Sequence, residues 1–111
     1  MIVGVASDHR GYRLKQELLS KMPSLVDYGT NSDESTDYPI YAFLIGEAIK
    51  EKKIDFGILI CGSGIGMSIA CNKVKGVRCA KIYNKEEAIY TRNDNDANVL
   101  AISENHSVEE T

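Results

Sequence analysis

Short apolar runs along the chain alternate with longer segments in which apolar residues recur every three or four positions. Residues 2–6 form a β-branched run with the composition of a buried strand. In the next segment Leu14, Leu18 and Met22 follow one another at i, i+4 and i+8, which predicts a helix with one buried face. Pro23 ends this helix, because a proline has no backbone N–H to donate.

The same alternation continues through the rest of the chain. The second predicted helix begins at Tyr38 and Pro39, since proline suits the first helical position. Its buried stripe comprises Tyr41, Leu44, Ile45, Ala48 and Ile49. The predicted elements after the first helix are, in chain order, a strand at 24–28, a helix from Tyr38 to about 50, a strand at 56–61, a helix at 65–71, a strand at 76–82, a helix from Asn84 to about 92 and a strand at 97–102.

Strands that alternate with helices predict a single α/β domain over residues 1–111, with a parallel sheet covered by helices on both faces. In such sheets a ligand lies beyond the carboxyl ends of the strands. The reactive side chains fall in four segments that we expect at this edge, namely 7–10, 29–38, 61–66 and 91–98.

Composition excludes several classes of partner. The net charge of −3 and the absence of a lysine/arginine block give no electrostatic footprint for nucleic acid. No apolar run approaches the roughly 18 residues of a membrane span. Residues 1–6 are too short for a signal peptide and lack a basic flank. We therefore expect no nucleic-acid and no membrane partner.

The cysteines indicate a reducing compartment. Three cysteines cannot all be paired within the chain, and Cys61, Cys71 and Cys79 show no C-x-x-C spacing for metal or redox chemistry. The cytoplasm is the simplest setting, and no metal is expected. Cys71 and Cys79 are interpreted as small core hydrophobes.

Cys61 ends a buried strand and precedes the glycine-rich loop 62–66 and a helix. This order directs backbone N–H groups at one point, which favours an anion and also a thiolate. The loop lacks the lysine of a P-loop, and its G-x-G-x-G spacing differs from the G-x-G-x-x-G of dinucleotide sites. The alternative is a tight turn beside an incidental buried cysteine.

The last five residues contain a helix-start signal. Ser107 and Glu110 form a capping box, yet only Thr111 follows it. We expect a terminal helix to be missing or dispensable, and the alternative is a frayed polar tail.

Four motifs together resemble the ribose 5-phosphate isomerase B family, which includes galactose 6-phosphate isomerase subunits. They read Ser-Asp-His-Arg-Gly, Ser-Thr-Asp-Tyr-Pro, Cys-Gly-Ser-Gly-Ile-Gly-Met-Ser-Ile-Ala and Asn-Asp-Ala-Asn-Val-Leu-Ala, and the resemblance covers essentially all 111 residues. It implies a Rossmann-like three-layer α/β/α sandwich with a five-stranded parallel sheet. It further implies a homodimer with sites at the interface, here without the family's terminal helix. The implied activity is metal-independent and cofactor-free interconversion of ribose 5-phosphate and ribulose 5-phosphate, or of a related sugar phosphate, through a cis-enediolate.

The resemblance also implies roles for individual residues. Cys61 is the base, and the amides of the loop hold the enediolate. Ser63 stands where many members have threonine. The remaining implied contacts are Asp8 to sugar hydroxyls, His9 near the phosphate, Tyr38 lining the pocket, Asn95 at the enediolate, and Gly62, Gly64, Ile65 and Gly66 as loop donors. Each has a plainer alternative: Asp8 as a helix N-cap, His9 as a packed strand-end residue and Tyr38 as core.

The chain departs from the family pattern where ring opening and phosphate binding are concerned. Asp94 occupies the position of the ring-opening histidine, and an unperturbed aspartate is mostly ionised near neutral pH. Asn105 stands in place of an arginine, and further phosphate arginines belong to the terminal helix. Arg10, Arg13 and the helix N-terminus are the alternatives for the phosphate. A rival hypothesis follows, in which the chain is a catalytically impaired member that binds a sugar phosphate or acts as an interaction subunit.

Overall fold

The computed structural model describes residues 1–106, so the capping box at Ser107 lies outside the described residues. The elements are β1 (Val3–Ser7), α1 (Tyr12–Lys21), β2 (Val26–Asp27), α2 (Tyr38–Lys50), β3 (Phe56–Cys61), α3 (Ile65–Cys71), β4 (Cys79–Lys81), α4 (Lys85–Asn95) and β5 (Val99–Ser103). No helix among these combines the length and the hydropathy that crossing a lipid bilayer requires.

The five strands form one sheet in the order β2-β1-β3-β5-β4, and every pair is parallel. β3 lies at the centre, with Ser7 opposite Ile60 on one side and Ser103 opposite Cys61 on the other. The ends of β1, β3 and β5 therefore meet at one edge of the sheet. The predicted five-stranded parallel sheet is confirmed.

Helices cover both faces of the sheet, which confirms the three-layer sandwich. On one face α2 and α3 pack against the sheet through Ala42, Ile45 and Met67, all fully buried. On the other face α1 contributes Leu14 and Leu18 to a second core cluster, and Ala88 of α4 packs against it. The three inner strands β1, β3 and β5 are largely buried on both faces, so their residues form continuous apolar runs, whereas both residues of the edge strand β2 are exposed.

Two residues assigned to the core by periodicity are exposed, and those predictions are wrong. Met22 is the C-cap of α1, with φ −130° and ψ 76°, so it has left the helical face and is 37% exposed. Leu44 is 43% exposed because the buried face of α2 is formed by Ala42, Ile45 and Ala48. Successive helical residues are about 100° apart, which turns Leu44 away from this face.

The edge elements differ from their predicted bounds. β2 covers only Val26–Asp27 of the predicted 24–28, and β4 covers only Cys79–Lys81 of 76–82. Both are outer strands with a single neighbour in the sheet. α4 extends to Asn95, beyond the predicted end near residue 92, and Asp96 then ends it with a φ of 53°.

Candidate active site

Cys61 is the last residue of β3 and is 5% exposed. The chain then turns sharply, because Gly64 has a φ of +84°, a conformation that glycine adopts without strain. As a result the Gly64 N–H donates to the Cys61 sulfur at 3.2 Å. The turn thus directs one backbone N–H of the glycine loop at the Cys61 sulfur.

The end of β5 holds the glycine loop in place. Glu104 N–H donates to the Cys61 carbonyl at 2.8 Å, and Ser103 Oγ donates to the Gly62 carbonyl at 2.8 Å. A Cβ on Gly64 would lie 3.0 Å from the carbonyl carbon of Ile102. Sequence reasoning missed Ser103 and Glu104, although polar residues at the carboxyl end of a central strand were a usable signal.

Asp8 follows β1 and is 6% exposed. Its Oδ1 accepts hydrogen bonds from the N–H groups of Arg10 at 3.0 Å and Gly11 at 3.1 Å. These bonds shape the turn that leads into α1, whose N-cap is Gly11, so the alternative of Asp8 as the helix N-cap is wrong. The same residue also lines the cavity next to Cys61.

Most of the predicted site residues meet in one cavity of about 360 Å³ at the carboxyl edge of the sheet. It is lined by Asp8, Arg10, Tyr38, Cys61, Gly62, Ser63 and Gly66. Tyr38, which is 39% exposed rather than core, lies over Gly66, where a Cβ would be 2.8 Å from the Tyr38 Cζ. A thiol, a carboxylate, a phenol and backbone N–H groups therefore face a common space.

His9 stands beside this cavity and fixes the loop between β2 and α2. The His9 Nδ1 lies 3.1 Å from both the N–H and the carbonyl oxygen of Thr36, so this imidazole is tied to the backbone of the loop. The Thr36 hydroxyl lies 3.2 Å from the Tyr41 hydroxyl. Hydrogen bonds from Thr30 and Thr36 hold the pKa of the Tyr41 phenol below its ordinary value. This network connects the 30–37 loop to both His9 and α2.

Asp94 and Asn95 lie at the opposite edge of the sheet, so the prediction that segment 91–98 shares the edge with Cys61 is wrong. These residues close α4 and precede β5, and Gly57 near the start of β3 donates its N–H to Asn98 O at 2.9 Å. A five-residue strand separates the two edges by about 15 Å. Segment 91–98 precedes a strand, whereas the other three segments follow strands, and this is the physical reason for the difference.

Asn95 lines a second cavity of about 370 Å³ at this amino edge, together with Arg78 and Cys79. Arg78 Nε donates to the Asn95 carbonyl at 2.8 Å, which fixes the end of α4. Within residues 1–106, His, Cys, Asp and Glu side chains form no group of three that could hold a metal ion.

The ribose/galactose isomerase family model matches residues 3–111. The chain belongs to this family. Ribose-5-phosphate isomerase B of Escherichia coli is 41% identical over 103 residues, which are 89% of this chain and 69% of that protein. A Bacillus subtilis homologue shares 46% identity over 109 residues, or 94% of this chain and 73% of the homologue.

Solved structures of this isomerase family match the fold closely. Clostridium thermocellum ribose-5-phosphate isomerase B superimposes with a TM-score of 0.94 at 41% identity, covering 99% of this chain and 78% of that one. The Mycoplasma genitalium enzyme, solved with bound ribulose-5-phosphate, gives a TM-score of 0.89 at 38% identity over 97% of this chain and 76% of that one. The chain is thus grouped with the sugar phosphate isomerases, which are intramolecular oxidoreductases of carbohydrate metabolism.

For an isomerase of this kind, the cavity at the carboxyl edge provides a proton acceptor and several hydrogen-bond donors. The Cys61 sulfur can accept a proton from carbon, and the loop N–H groups can stabilise an oxyanion. Asp94 and Asn95 are too distant to act in the same cavity of the same chain.

Proposed function

We propose that this isomerase interconverts ribose 5-phosphate and ribulose 5-phosphate without a metal, with Cys61 as the base. The observation that carries the proposal is the nearly buried Cys61 sulfur, which accepts the Gly64 N–H at 3.2 Å and faces a cavity shared with Asp8. The Mycoplasma genitalium relative with bound ribulose-5-phosphate supports the choice of substrate.

The reaction moves one proton between neighbouring carbons. The Cys61 thiolate removes the proton from C2 of the open-chain aldose and forms a cis-enediolate and a thiol. The thiol returns the proton to C1, while the hydroxyl proton moves from O2 to O1, so atoms and charge balance. Asp8 accepts hydrogen bonds from the sugar hydroxyls through the carboxylate oxygen that the turn before α1 does not use.

Not every loop amide is available to the enediolate. The Gly64 N–H is directed at the Cys61 sulfur, and the Ile65 N–H donates to Ser63 Oγ at 3.1 Å. Among the described residues, the N–H groups of Gly62, Ser63 and Gly66 have no such partner. We assign these three donors to the enediolate oxygens, where a donor of this kind contributes about 3–4 kcal/mol to the transition state.

Ring opening and completion of the site require a second copy of the chain. We assign Asp94 and Asn95 to the Cys61 cavity of the partner, since the end of α4 lies about 15 Å from the Cys61 edge of its own sheet. The outer faces of α2 and α3 leave a set of apolar side chains 43–59% exposed: Ile40, Phe43, Leu44, Ile65 and Ile69. A twofold axis through this face, with α3 antiparallel to its copy, brings the amino edge of one sheet to the carboxyl edge of the other. This supports a homodimer with two interface sites.

Deuterium wash-in at C2 of ribose 5-phosphate tests the base. Wild type should exchange, and Cys61→Ala and Cys61→Ser should lose about 10²–10⁴-fold in rate, because general-base catalysis contributes this much. Cys71→Ala, which removes a fully buried thiol that lines neither cavity, is the matched control and should exchange like wild type. Exchange at the wild-type rate in Cys61→Ala would refute the assignment of the base. Calorimetric binding of ribose 5-phosphate without any wild-type exchange would instead favour a sugar-phosphate-binding subunit.

A further inference from the structure

Arg10 is the only lysine or arginine among the described residues that line the cavity next to Cys61. It extends from the turn between β1 and α1, and its side chain is 59% exposed. Arg13, the other arginine of this region, is 93% exposed and lies 3.5 Å from Glu17 on the same helix. Arg13 lines a neighbouring cavity and takes no part in the one that contains Cys61.

The guanidinium of Arg10 is held directly against the glycine loop. Its Nη1 lies 2.6 Å from the position that a Cβ on Gly62 would occupy. Its Nε contacts Glu104 Oε2 at 2.7 Å. Glu104 is itself fixed, because its N–H donates to the Cys61 carbonyl. The ion pair therefore restricts the rotamers of Arg10 before a ligand arrives, which lowers the entropic cost of binding.

We infer that Arg10 is the residue of this chain that binds the phosphate group of the sugar substrate. The inference deepens the proposed function and rests on it for the identity of the substrate. The Nη groups of Arg10 donate no hydrogen bond to a described residue, so they are available to a ligand in the cavity. A guanidinium presents parallel N–H donors that match two phosphate oxygens, and such charge-assisted pairs are strong.

Glu104 distinguishes a ligand-binding arginine from a merely structural one. If Arg10 serves only to balance Glu104 and brace the loop, loss of either charge should damage the site equally. If Arg10 binds phosphate, removal of the nearby carboxylate charge should leave phosphate affinity equal or higher, since a carboxylate repels the ligand. Glu104→Gln keeps the shape of the side chain and removes only its charge.

Steady-state kinetics and competition by inorganic phosphate test this assignment on the full chain. Arg10→Ala should raise both KM for ribose 5-phosphate and Ki for phosphate about 10- to 100-fold, the usual effect of losing a hydrogen bond to a charged group. Arg10→Lys should recover part of this loss, and the matched control Arg13→Ala should behave like wild type. Glu104→Gln should keep or lower both constants.

Two results would overturn the inference: Arg10→Ala constants equal to those of Arg13→Ala, or a Glu104→Gln loss as large as that of Arg10→Ala. Calorimetric titration with inorganic phosphate and with D-ribose measures the part that Arg10 plays in binding, independently of isomerase turnover. Phosphate affinity that depends on Arg10 in a protein without isomerase activity would leave the inference standing and refute the proposed function. Normal isomerase activity with Arg10-independent phosphate binding would refute the inference alone. D-Ribose affinity should be the same with and without Arg10.

Discussion

Two glycines of the active-site loop are required for different physical reasons. Gly64 has a φ of +84°, which strains any residue that carries a Cβ. A Cβ there would also lie 3.0 Å from the backbone of Ile102, and backbone in a central strand cannot move aside as a side chain can. Gly66 lies within α3, and the three atoms nearest to a Cβ there belong to the phenol of Tyr38, a side chain that is 39% exposed and can move. The first glycine supports the fold, whereas the second gives the phenol its position.

We expect Gly64→Ala and Gly66→Ala to separate stability from activity. Gly64→Ala should lose at least about 1–2 kcal/mol of unfolding free energy, the cost of a left-handed conformation in a residue with a Cβ. Gly66→Ala should keep or slightly gain stability, because alanine favours a helix over glycine by about 1 kcal/mol. Its kcat/KM should fall, since Tyr38 is displaced from the cavity. Urea unfolding measures the stability of the two variants, and steady-state kinetics measures their kcat/KM. A larger loss of stability in Gly66→Ala than in Gly64→Ala would contradict these roles.

Cys79 is chemically distinct from an ordinary surface thiol. The Cys71 thiol donates a hydrogen bond to it and lowers the pKa of Cys79, with a further contribution from Ser68. The same contact and burial raise the pKa of Cys71. The sequence assigned both to the core, yet Cys79 is only partly buried and lines the cavity that contains Asn95.

The lowered pKa predicts how Cys79 alkylation depends on pH. Because the thiolate is the reactive form, iodoacetamide should modify Cys79 with a midpoint below that of a free cysteine, and reactivity should fall as the pH drops below it. Cys71→Ala removes the donor and should raise the midpoint. Mass-spectrometric rates in a Cys61→Ala background report Cys79 without interference. A midpoint unchanged by Cys71→Ala would contradict the role of the donor.

At the scale of elements, a buried ion pair joins α1 to β2. Lys15 is fully buried, and its Nζ lies 2.9 Å and 3.0 Å from the two carboxylate oxygens of Asp27. Asp27 Oδ1 also accepts the Gly29 N–H at 2.8 Å, and the Gly29 carbonyl accepts the Ser7 N–H at 2.8 Å. The pair thus holds the short edge strand against β1, next to Asp8.

Removing the two partners of this pair should have unequal effects. Asp27→Ala leaves a fully buried ammonium with its main partner gone and should cost about 3–5 kcal/mol of unfolding free energy. Lys15→Met fills a similar volume, and the Asp27 side chain is 33% exposed, so water can solvate it. Its cost should therefore be clearly smaller. Urea denaturation of both variants provides the comparison, and equal losses would contradict the explanation.

At the scale of the whole molecule, the proposed site is divided between two opposite edges of the sheet. The Cys61 cavity is at the carboxyl edge of the sheet, and the Asn95 cavity is at the amino edge. In a β-α-β unit the helix returns the chain to the starting edge, so the end of α4 cannot approach the end of β3 in the same chain. In the proposed twofold dimer, the Cys61 cavity of each subunit meets the Asn95 cavity of its partner, which gives two complete sites.

This division predicts complementation between inactive variants. Cys61→Ala and Asn95→Ala should each show little activity as homodimers. Unfolded, mixed in equal amounts and refolded, they should recover about a quarter of wild-type activity, because half of the dimers are mixed and each has one intact site. Cys61→Ala mixed with Cys61→Ser is the matched control and should stay inactive. No recovery in the first mixture would refute the shared site.

The sequence by itself determined the order of strands and helices, the parallel sheet, and the position of Cys61 before its glycine loop. These features depend on local patterns: apolar runs, helical periodicity, and turns that only glycine or proline fits. Asp8, Tyr38 and Ser63 were also predicted correctly as neighbours of Cys61, because residues that follow parallel strands meet at one edge.

Only the tertiary structure decided which side chains face each other across elements distant in the chain. It placed Asp94 and Asn95 at the other edge, buried Lys15 on Asp27, left Leu44 exposed, and brought Arg10 against Gly62 and Glu104. Such contacts depend on the direction in which each element enters the sheet and on the rotation of each helix about its axis. Periodicity identifies an amphipathic face, but the neighbour against which it packs determines which of its residues are buried.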